Sequence, residues 1–148
     1  MFRIILTLIW ALYALTGYNS TFFLHPVNGT AIPFANLQGK WVFINYWASW
    51  CDTCLDEIVE LNCFFAKNKN KIALFAVNYD MLPIESLLAL IKKHKINYPS
   101  LQEDPAASLS LAEIHSVPTT FVFNPQGQLQ VTLYGEQTCA GLNAIINK

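Results

Sequence analysis

Blocks of hydrophobic and polar positions follow one another along this chain, and each block predicts one element of secondary structure. Residues 41–46 and 72–77 are nearly continuous runs of aliphatic, aromatic and β-branched side chains, a pattern typical of strands buried on both faces. Residues 119–123 and 129–134 are two further strands, and the turn-forming segment 124–127 between them predicts a hairpin. The four strands predict a mixed sheet with residues 41–46 at its centre.

Apolar side chains at three- and four-residue spacing predict the helices that flank this sheet. The first helix follows the central strand and continues to about residue 66, and the second covers residues 84–91. Residues 105–114 and 138–146 are predicted as two more helices. Residues 21–38 are predicted as a strand and a loop that cover an edge of the sheet. The pattern predicts one α/β domain over residues 21–148, with an N-terminal extension.

The first twenty residues differ in kind from the rest. Arg3 supplies a positive charge, and residues 4–15 form an apolar run about as long as the core of a secretory signal. Further apolar residues could extend this run to the roughly 20 that cross a bilayer, and Leu15 and Gly17 make a poor cleavage site. Residues 1–20 are therefore predicted as a cleaved signal peptide or an uncleaved signal anchor, with a buried helix as a third alternative. Both main alternatives export the domain.

Composition and charge narrow the range of partners. The chain has 148 residues, of which 53% are hydrophobic and 14% aromatic, and this is enough to build one α/β core. Its formal net charge of -1 gives no basic surface for nucleic acid or for an anionic membrane. We therefore expect no nucleic-acid partner, and we expect a monomer.

Two thiols stand where the central strand passes into the first helix. A helix N-terminus presents unpaired N–H groups and the positive end of the helix dipole, which favours a thiolate at Cys51. Cys54, three residues on, returns to the same helical face and can close a disulfide with Cys51. We predict that Cys51 attacks and Cys54 resolves. Asp52 opposes ionisation of Cys51, so we expect only a modestly lowered pKa, which favours a reductant over an oxidant.

The remaining cysteines do not complete a metal site. Structural zinc needs two more ligands at matching spacing, but Cys63 and Cys139 stand alone and the three histidines form no paired motif. No metal is predicted, and dithiol exchange needs no cofactor. Cys63 lies about half a turn around the helix from Cys54, and Cys139 begins the last helix. Each is interpreted as a buried core residue, and a structural disulfide between them remains open.

Two separate motifs resemble a known family. Residues 43–54 read Phe-Ile-Asn-Tyr-Trp-Ala-Ser-Trp-Cys-Asp-Thr-Cys, and about sixty residues later residues 117–121 read Val-Pro-Thr-Thr-Phe. Together they resemble thioredoxin-fold proteins, and more narrowly the membrane-tethered thiol-disulfide oxidoreductases of the TlpA/ResA/DsbE type. The resemblance covers roughly residues 24–148 and implies a thioredoxin fold.

This resemblance implies a substrate groove beside the two thiols. The matching proline of the family is cis, so we expect a cis Pro118 that leaves the backbone of Val117 free to pair with an extended substrate. Trp50 is expected to lie at the rim of the site, where the family shields the disulfide and contacts substrate. No glycine stands just before Pro118, which predicts a reshaped groove.

The resemblance also implies a role for Glu57, three residues beyond Cys54. TlpA/ResA-like proteins bury an acid at this offset beside the thiols, and Asn45 occupies the place of the buried aspartate of thioredoxin. We hypothesise that a desolvated Glu57 with a raised pKa relays the proton of Cys54. The alternative is an exposed glutamate in the first helical turn, favoured by the helix dipole. Val59 stands where the family often has proline, which predicts a straighter helix.

The function implied is that of a membrane-attached disulfide reductase of the periplasm or another extracytoplasmic space. Its electrons would come from a membrane donor of the DsbD/CcdA kind, and apocytochrome c, in cytochrome c maturation, would be one protein substrate. Three alternatives remain. A DsbA-type oxidant or isomerase would use the same cysteines in reverse, a peroxiredoxin would need threonine where Ala48 stands, and a Sco-type copper chaperone would need one more residue between the cysteines.

Overall fold

A central four-stranded sheet organises the computed structural model, which describes residues 22–148. The strands are β1 (Phe23–Leu24), β2 (Ile32–Pro33), β3 (Trp41–Trp47), β4 (Ile72–Asn78), β5 (Thr119–Phe123) and β6 (Leu129–Tyr134). The large sheet has the order β4-β3-β5-β6, in which β3 is parallel to β4 and antiparallel to β5, and β5 is antiparallel to β6. The predicted mixed sheet is therefore confirmed, and β3 lies inside it.

Four α-helices and a short 3-10 helix, Phe34–Leu37, complete the fold of residues 22–148. The α-helices are α1 (Asp52–Asn68), α2 (Ile84–His94), α3 (Ala106–Leu109) and α4 (Cys139–Ile146). The ends of α2 and α4 follow from local chemistry. Pro83 precedes α2, Lys95 ends it in the left-handed conformation at φ 56°, and the Thr138 hydroxyl caps α4 by accepting the N–H of Gly141 at 3.0 Å.

The predicted helix over residues 105–114 is wrong in its length. Helix α3 has only four residues, because Ser110 takes the left-handed conformation at φ 52°. The N–H of Leu111 then bonds to the carbonyl of Ala106 at 2.9 Å and closes the turn. Leu109 and Leu111, two positions apart, both pack against the sheet, whereas a continuous helix would turn them to different faces.

The two faces of the sheet carry two hydrophobic clusters. One face of β3 contributes Phe43 and Trp47 to a cluster completed by α1, α2 and α4. The other contributes Val42, Ile44 and Tyr46 to a cluster covered by the N-terminal segment and the stretch after α3. Because side chains alternate along a strand, Asn45 points towards α1, as Phe43 and Trp47 do. A polar amide is thus placed beneath the helix that carries the two thiols.

The N-terminal segment protects the β4 edge of the sheet through an intermediate stretch. Ser100 forms a parallel bridge with Ala76 of β4, and Pro26 forms an antiparallel bridge with Leu101. The N–H of Val27 donates to the carbonyl of Ser100 at 2.8 Å. The predicted covering of an edge therefore occurs, with residues 100 and 101 between the segment and the sheet.

Residues 1–20, predicted as a signal peptide or signal anchor, lie outside the described residues. Among residues 22–148, no helix combines the length and the apolar character needed to cross a lipid bilayer.

Candidate active site

Cys51 and Cys54 form a disulfide bond where β3 gives way to α1, with their Cα atoms 5.2 Å apart. Cys51 is the N-cap of α1, and its sulfur accepts the N–H of Cys54 at 3.2 Å. Its side chain keeps 8% exposure, whereas Cys54 keeps 1%. Cys51 is therefore the sulfur that solvent reaches first, and Cys54 lies beneath it.

A cis-proline lies against this disulfide. The Val117–Pro118 peptide bond is cis, as the resemblance implies, and the carbonyl oxygen of Val117 lies 3.6 Å from the sulfur of Cys51. Pro118 is buried and Val117 is half-buried, immediately before β5. The backbone of Val117 therefore lies next to the more exposed sulfur.

Glu57 is enclosed between α1, β3 and the loop before α4. Its side chain is fully buried, with 0% exposure, which rules out the exposed alternative. One carboxylate oxygen accepts the side-chain amide of Asn45 at 3.0 Å, and the other accepts the backbone N–H of Gln137 at 2.9 Å. The Asn45 amide also donates to the hydroxyl of Thr120 at 3.0 Å, so neighbouring strands fix its orientation.

Burial governs the protonation of this carboxyl group. It raises the pKa of Glu57 from 4.5 to about 7, against the lowering effect of the Asn45 and Gln137 donors and with a small upward contribution from the charge of Glu136. Burial, with the charge of Glu57 as a second cause, also raises the pKa of the Tyr98 hydroxyl, which stays neutral. Glu57 can therefore both hold and release a proton near neutral pH.

An aromatic rim stands beside the disulfide. Trp50 is 63% exposed, and its indole N–H lies 3.1 Å from each carboxylate oxygen of Asp80. Its ring meets that of Tyr79 edge to face, with centroids 6.4 Å apart. Sequence reasoning missed Asp80 and Tyr79, although the predicted parallel pairing of the two strands already brings their C-terminal ends together.

A second disulfide joins Cys63 of α1 to Cys139 of α4, which are 76 positions apart in sequence and have their Cα atoms 6.0 Å apart. The sequence left this pairing open. Cys139 is buried and Cys63 is half-buried, so both pack in the core while also forming a bond. No group of three or more His, Cys, Asp or Glu side chains comes together as a potential metal site within residues 22–148.

Comparison with known proteins places the chain in a family. The pattern of the AhpC/TSA family matches residues 20–132. The chain belongs to the AhpC/TSA family. It is similar to the thiol-disulfide oxidoreductase ResA of Bacillus subtilis, at 28% identity over 130 residues that span 85% of this chain and 70% of that protein. The sporulation thiol-disulfide oxidoreductase A of the same organism is 24% identical over 83% of this chain and 76% of its own length.

Solved structures agree on the fold of this AhpC/TSA-family member. StoA from Bacillus subtilis superposes with a TM-score of 0.71 at 23% identity, covering 86% of this chain and 96% of that one. A DsbF homologue from Corynebacterium diphtheriae gives a TM-score of 0.74 at 24% identity, covering 86% and 83%. The predicted thioredoxin fold and the ResA-type relationship are confirmed. The relatives are named thiol-disulfide oxidoreductases, which supports a redox enzyme activity for this chain.

Proposed function

We propose that this chain is an exported protein-disulfide reductase that works through the Cys51–Cys54 dithiol. The observation that carries the proposal is the burial of Glu57. Because its pKa is raised to about 7, its carboxyl group can take up and release a proton near neutral pH, as a proton relay must. Glu57 lies three residues beyond Cys54 on α1, and both residues are buried.

The first step is attack by the Cys51 thiolate on a substrate disulfide. A substrate strand pairs with the backbone of Val117 beside cis-Pro118, and Trp50 contacts it at the rim. The sulfur of Cys51 bonds to one substrate sulfur, and the other substrate sulfur leaves as a thiolate. The N–H of Cys54, directed at the sulfur of Cys51, favours the attacking thiolate.

The second step resolves this mixed disulfide. The Glu57 carboxylate accepts the proton of the Cys54 thiol, and the resulting thiolate attacks the sulfur of Cys51. The Cys51–Cys54 bond forms as the bond between Cys51 and the substrate breaks, and the substrate sulfur that was bonded to Cys51 departs with the bonding pair and takes up a proton. Two electrons have then passed from the dithiol to the substrate, and the enzyme is left oxidised.

The reducing direction is supported by the charge around the site. Asp52 is exposed in the first turn of α1 and opposes a stable Cys51 thiolate, and a strong oxidant depends on such stabilisation. A reductase needs a source of electrons after each cycle. We assign that role to a membrane donor of the DsbD/CcdA kind, as the ResA-type resemblance implies.

Export and membrane attachment are supported by two features at different places in the chain. Residues 1–20 have the charge and hydrophobic pattern of a signal or anchor. The Cys63–Cys139 disulfide is of a kind that persists in oxidising compartments. In such a space a natural substrate class is the oxidised cysteine pair of apocytochrome c, which the enzyme would reduce as a monomer.

The reduction potential of the purified full chain tests this proposal. The protein is equilibrated against dithiothreitol and glutathione buffers, and the Cys51–Cys54 peptide is quantified separately by alkylation and mass spectrometry. A value near that of thioredoxin, about -270 mV or lower, is expected for a reductase. A value near that of DsbA, about -120 mV, would overturn the proposal and make the protein a disulfide donor.

A further inference from the structure

The two disulfides lie at opposite ends of one row of side chains on α1. Cys54, Glu57, Glu60 and Cys63 follow one another at three-residue spacing. Each step turns the helix by about 300° and advances it by about 4.5 Å, so the row runs obliquely along one side of the helix. We call these four residues the α1 row. It leads from the active-site disulfide to the second disulfide.

Residues 137–139, which lead into the start of α4, contact three successive members of the α1 row. The N–H of Gln137 donates to Glu57 at 2.9 Å, and the N–H of Cys139 donates to Glu60 at 2.6 Å. The sulfur of Cys139 is then bonded to that of Cys63. One short segment thus places a donor on the buried acid and a covalent bond on the far end of the row.

The other end of this loop is tied to the substrate groove. The N–H of Gly135 donates to the carbonyl of Pro118 at 2.9 Å, and the side-chain amide of Gln137 donates to the carbonyl of Gly135 at 3.0 Å. Gln137 therefore lies between two anchored residues, Gly135, which is hydrogen-bonded to the cis-proline, and Cys139, which is covalently bonded to Cys63. The Gln137 N–H thus has an anchor on each side of it in the chain.

We infer that the Cys63–Cys139 disulfide is a positioning element of the active site, because it holds segment 137–139 so that the Gln137 N–H stays on Glu57. An effect of this disulfide on catalysis rests on the proposed function, since it concerns the acid that relays the proton of Cys54. Its effect on the position of the Gln137 N–H does not rest on the proposed function.

Other contacts between α1 and α4 lie on the far side of the second disulfide from Glu57. The amide of Asn68 donates to the side-chain oxygen of Asn143 at 2.9 Å, and Leu142 is fully buried in the shared core. We expect these contacts to keep α4 docked when the disulfide is removed. Neither contact involves residues 135–137, so this part of the loop is expected to relax while the helix stays in place.

Four groups set the charge environment of Glu57. Asn45 faces it from β3, Gln137 and Glu136 face it from the loop, and the neutral Tyr98 lies near it on the sheet side. On its own helix, Cys54 precedes it by one turn. Gln137 belongs to the segment 137–139, and Glu136 immediately precedes it, whereas Asn45 is fixed by the sheet.

The test uses the backbone amide of Gln137, observed by NMR in the oxidised full chain. In the wild type its chemical shift should titrate with the carboxyl group of Glu57, because the two share a hydrogen bond. In the Cys63→Ala/Cys139→Ala variant this titration should disappear, and the amide should exchange with solvent at least about tenfold faster. The amide of Leu142, which donates to the carbonyl of Thr138 at 2.9 Å, serves as the internal control and should stay protected.

Three outcomes decide the inference. Loss of the Gln137 titration with Leu142 still protected supports it, and an unchanged Gln137 amide overturns it. Equal loss of protection at both amides also overturns it, because the disulfide would then stabilise α4 as a whole. The Glu60→Gln variant keeps both disulfides and weakens only the middle contact, so it should show the same change to a smaller degree. If the alanine variant does not fold, Cys63→Ser/Cys139→Ser, which removes the same bond and keeps side chains of nearly equal size, supplies the test.

A functional readout separates this inference from the proposed function. If the Gln137 amide responds and the pH profile of mixed-disulfide resolution shifts in the double variant, both are supported. If the amide responds while resolution is independent of Glu57, the positioning is right and the proton relay is wrong.

Discussion

Each of the two disulfides places one cysteine at the N-terminus of a helix, yet the two helix ends are used differently. Cys51 is the N-cap of α1, and Cys139 is the first residue of α4. At α1 the N–H of Cys54 points at the sulfur of Cys51. At α4 the N–H of Cys139 is taken by the Glu60 carboxylate, and that of Gly141 is taken by the capping hydroxyl of Thr138.

The comparison shows that a helix N-terminus does not by itself prepare a cysteine for exchange. The donors must be directed at the sulfur, and a substrate must be able to reach it. Only Cys51 meets both conditions, since it borders the backbone of Val117. Beside Cys139 the backbone N–H groups of the helix end donate to oxygen atoms, and only the side-chain amide of Asn143 lies near the sulfur, at 3.6 Å. The Glu60 carboxylate opposes a thiolate there. The surroundings of the first disulfide suit exchange, and those of the second suit a structural bond.

The largest expected difference between the two disulfides is in covalent trapping of substrate. We predict that Cys54→Ser accumulates a mixed disulfide at Cys51, because attack proceeds but resolution cannot. No mixed disulfide should form at Cys63 or Cys139 under the same conditions. Mass spectrometry of the chain incubated with a disulfide-linked peptide measures both. A mixed disulfide trapped at Cys139 would contradict the conclusion that only Cys51 is placed for exchange.

Stability should show the opposite ranking. The Cys63–Cys139 bond spans 76 positions and should contribute about 4 kcal/mol to the free energy of unfolding, whereas the Cys51–Cys54 bond spans three and should contribute about 2 kcal/mol. Denaturant unfolding of Cys63→Ala/Cys139→Ala and of Cys51→Ala/Cys54→Ala measures the two losses. Equal losses of unfolding free energy would mean that the second disulfide does not restrain the unfolded chain more than the first does.

Each disulfide also has a carboxylate beside it, and the two should differ in their effect on stability. The pKa of Glu57 is raised in the folded protein from 4.5 to about 7, so the folded state binds the proton more tightly than the unfolded state. Stability should therefore fall as pH rises through this window, by about 3 kcal/mol from this one group.

Denaturant unfolding at a series of pH values measures this effect. The difference between wild type and Glu57→Gln should grow between pH 4.5 and about 7 and then level off. Glu60→Gln is the matched control, since Glu60 also accepts a backbone N–H, that of Cys139, but is only half-buried. The prediction fails if both variants follow the same pH dependence.

The smallest predicted effect concerns the rate of resolution. With a pKa of about 7, the ionised fraction of Glu57 grows about tenfold between pH 6 and pH 8, and the rate at which Cys54 resolves the mixed disulfide should follow it. Stopped-flow kinetics on a preformed mixed disulfide measures this step. Glu57→Gln should be slower at pH 8 and should lose this dependence; an unchanged profile would remove the relay from the mechanism.

Much of the fold could be predicted from the sequence because its elements are determined locally. The buried strands β3 and β4 are continuous apolar runs, and the hairpin has turn residues at its centre. Helix α3 could not be predicted in its length. Its early end depends on a left-handed Ser110, and serine carries no strong signal for that conformation.

The candidate site, like the fold, has one part that could be predicted from the sequence and one part that could not. The position of the two thiols follows from a strand that passes into a helix, and the burial of Glu57 from its spacing together with the family resemblance. The Gln137 donor and the charge of Glu136 come from a loop about 80 residues away, which only tertiary packing brings to α1. The Cys63–Cys139 bond is of the same kind, since spacing alone does not pair distant cysteines.

The α1 row also limits how this protein can change its length. Insertion of a single residue between Glu57 and Cys63 would rotate every later side chain of α1 by about 100°, and Cys63 would turn away from Cys139. The same insertion in the turn between β5 and β6 would disturb the hairpin and the hydrogen bond from the N–H of Gly39 to the carbonyl of Pro125, but would not rotate the side chains of α1. Helix α1 therefore fixes the spacing between the two disulfides. Insertions and deletions should be tolerated in the hairpin turn more readily than between Glu57 and Cys63 of α1.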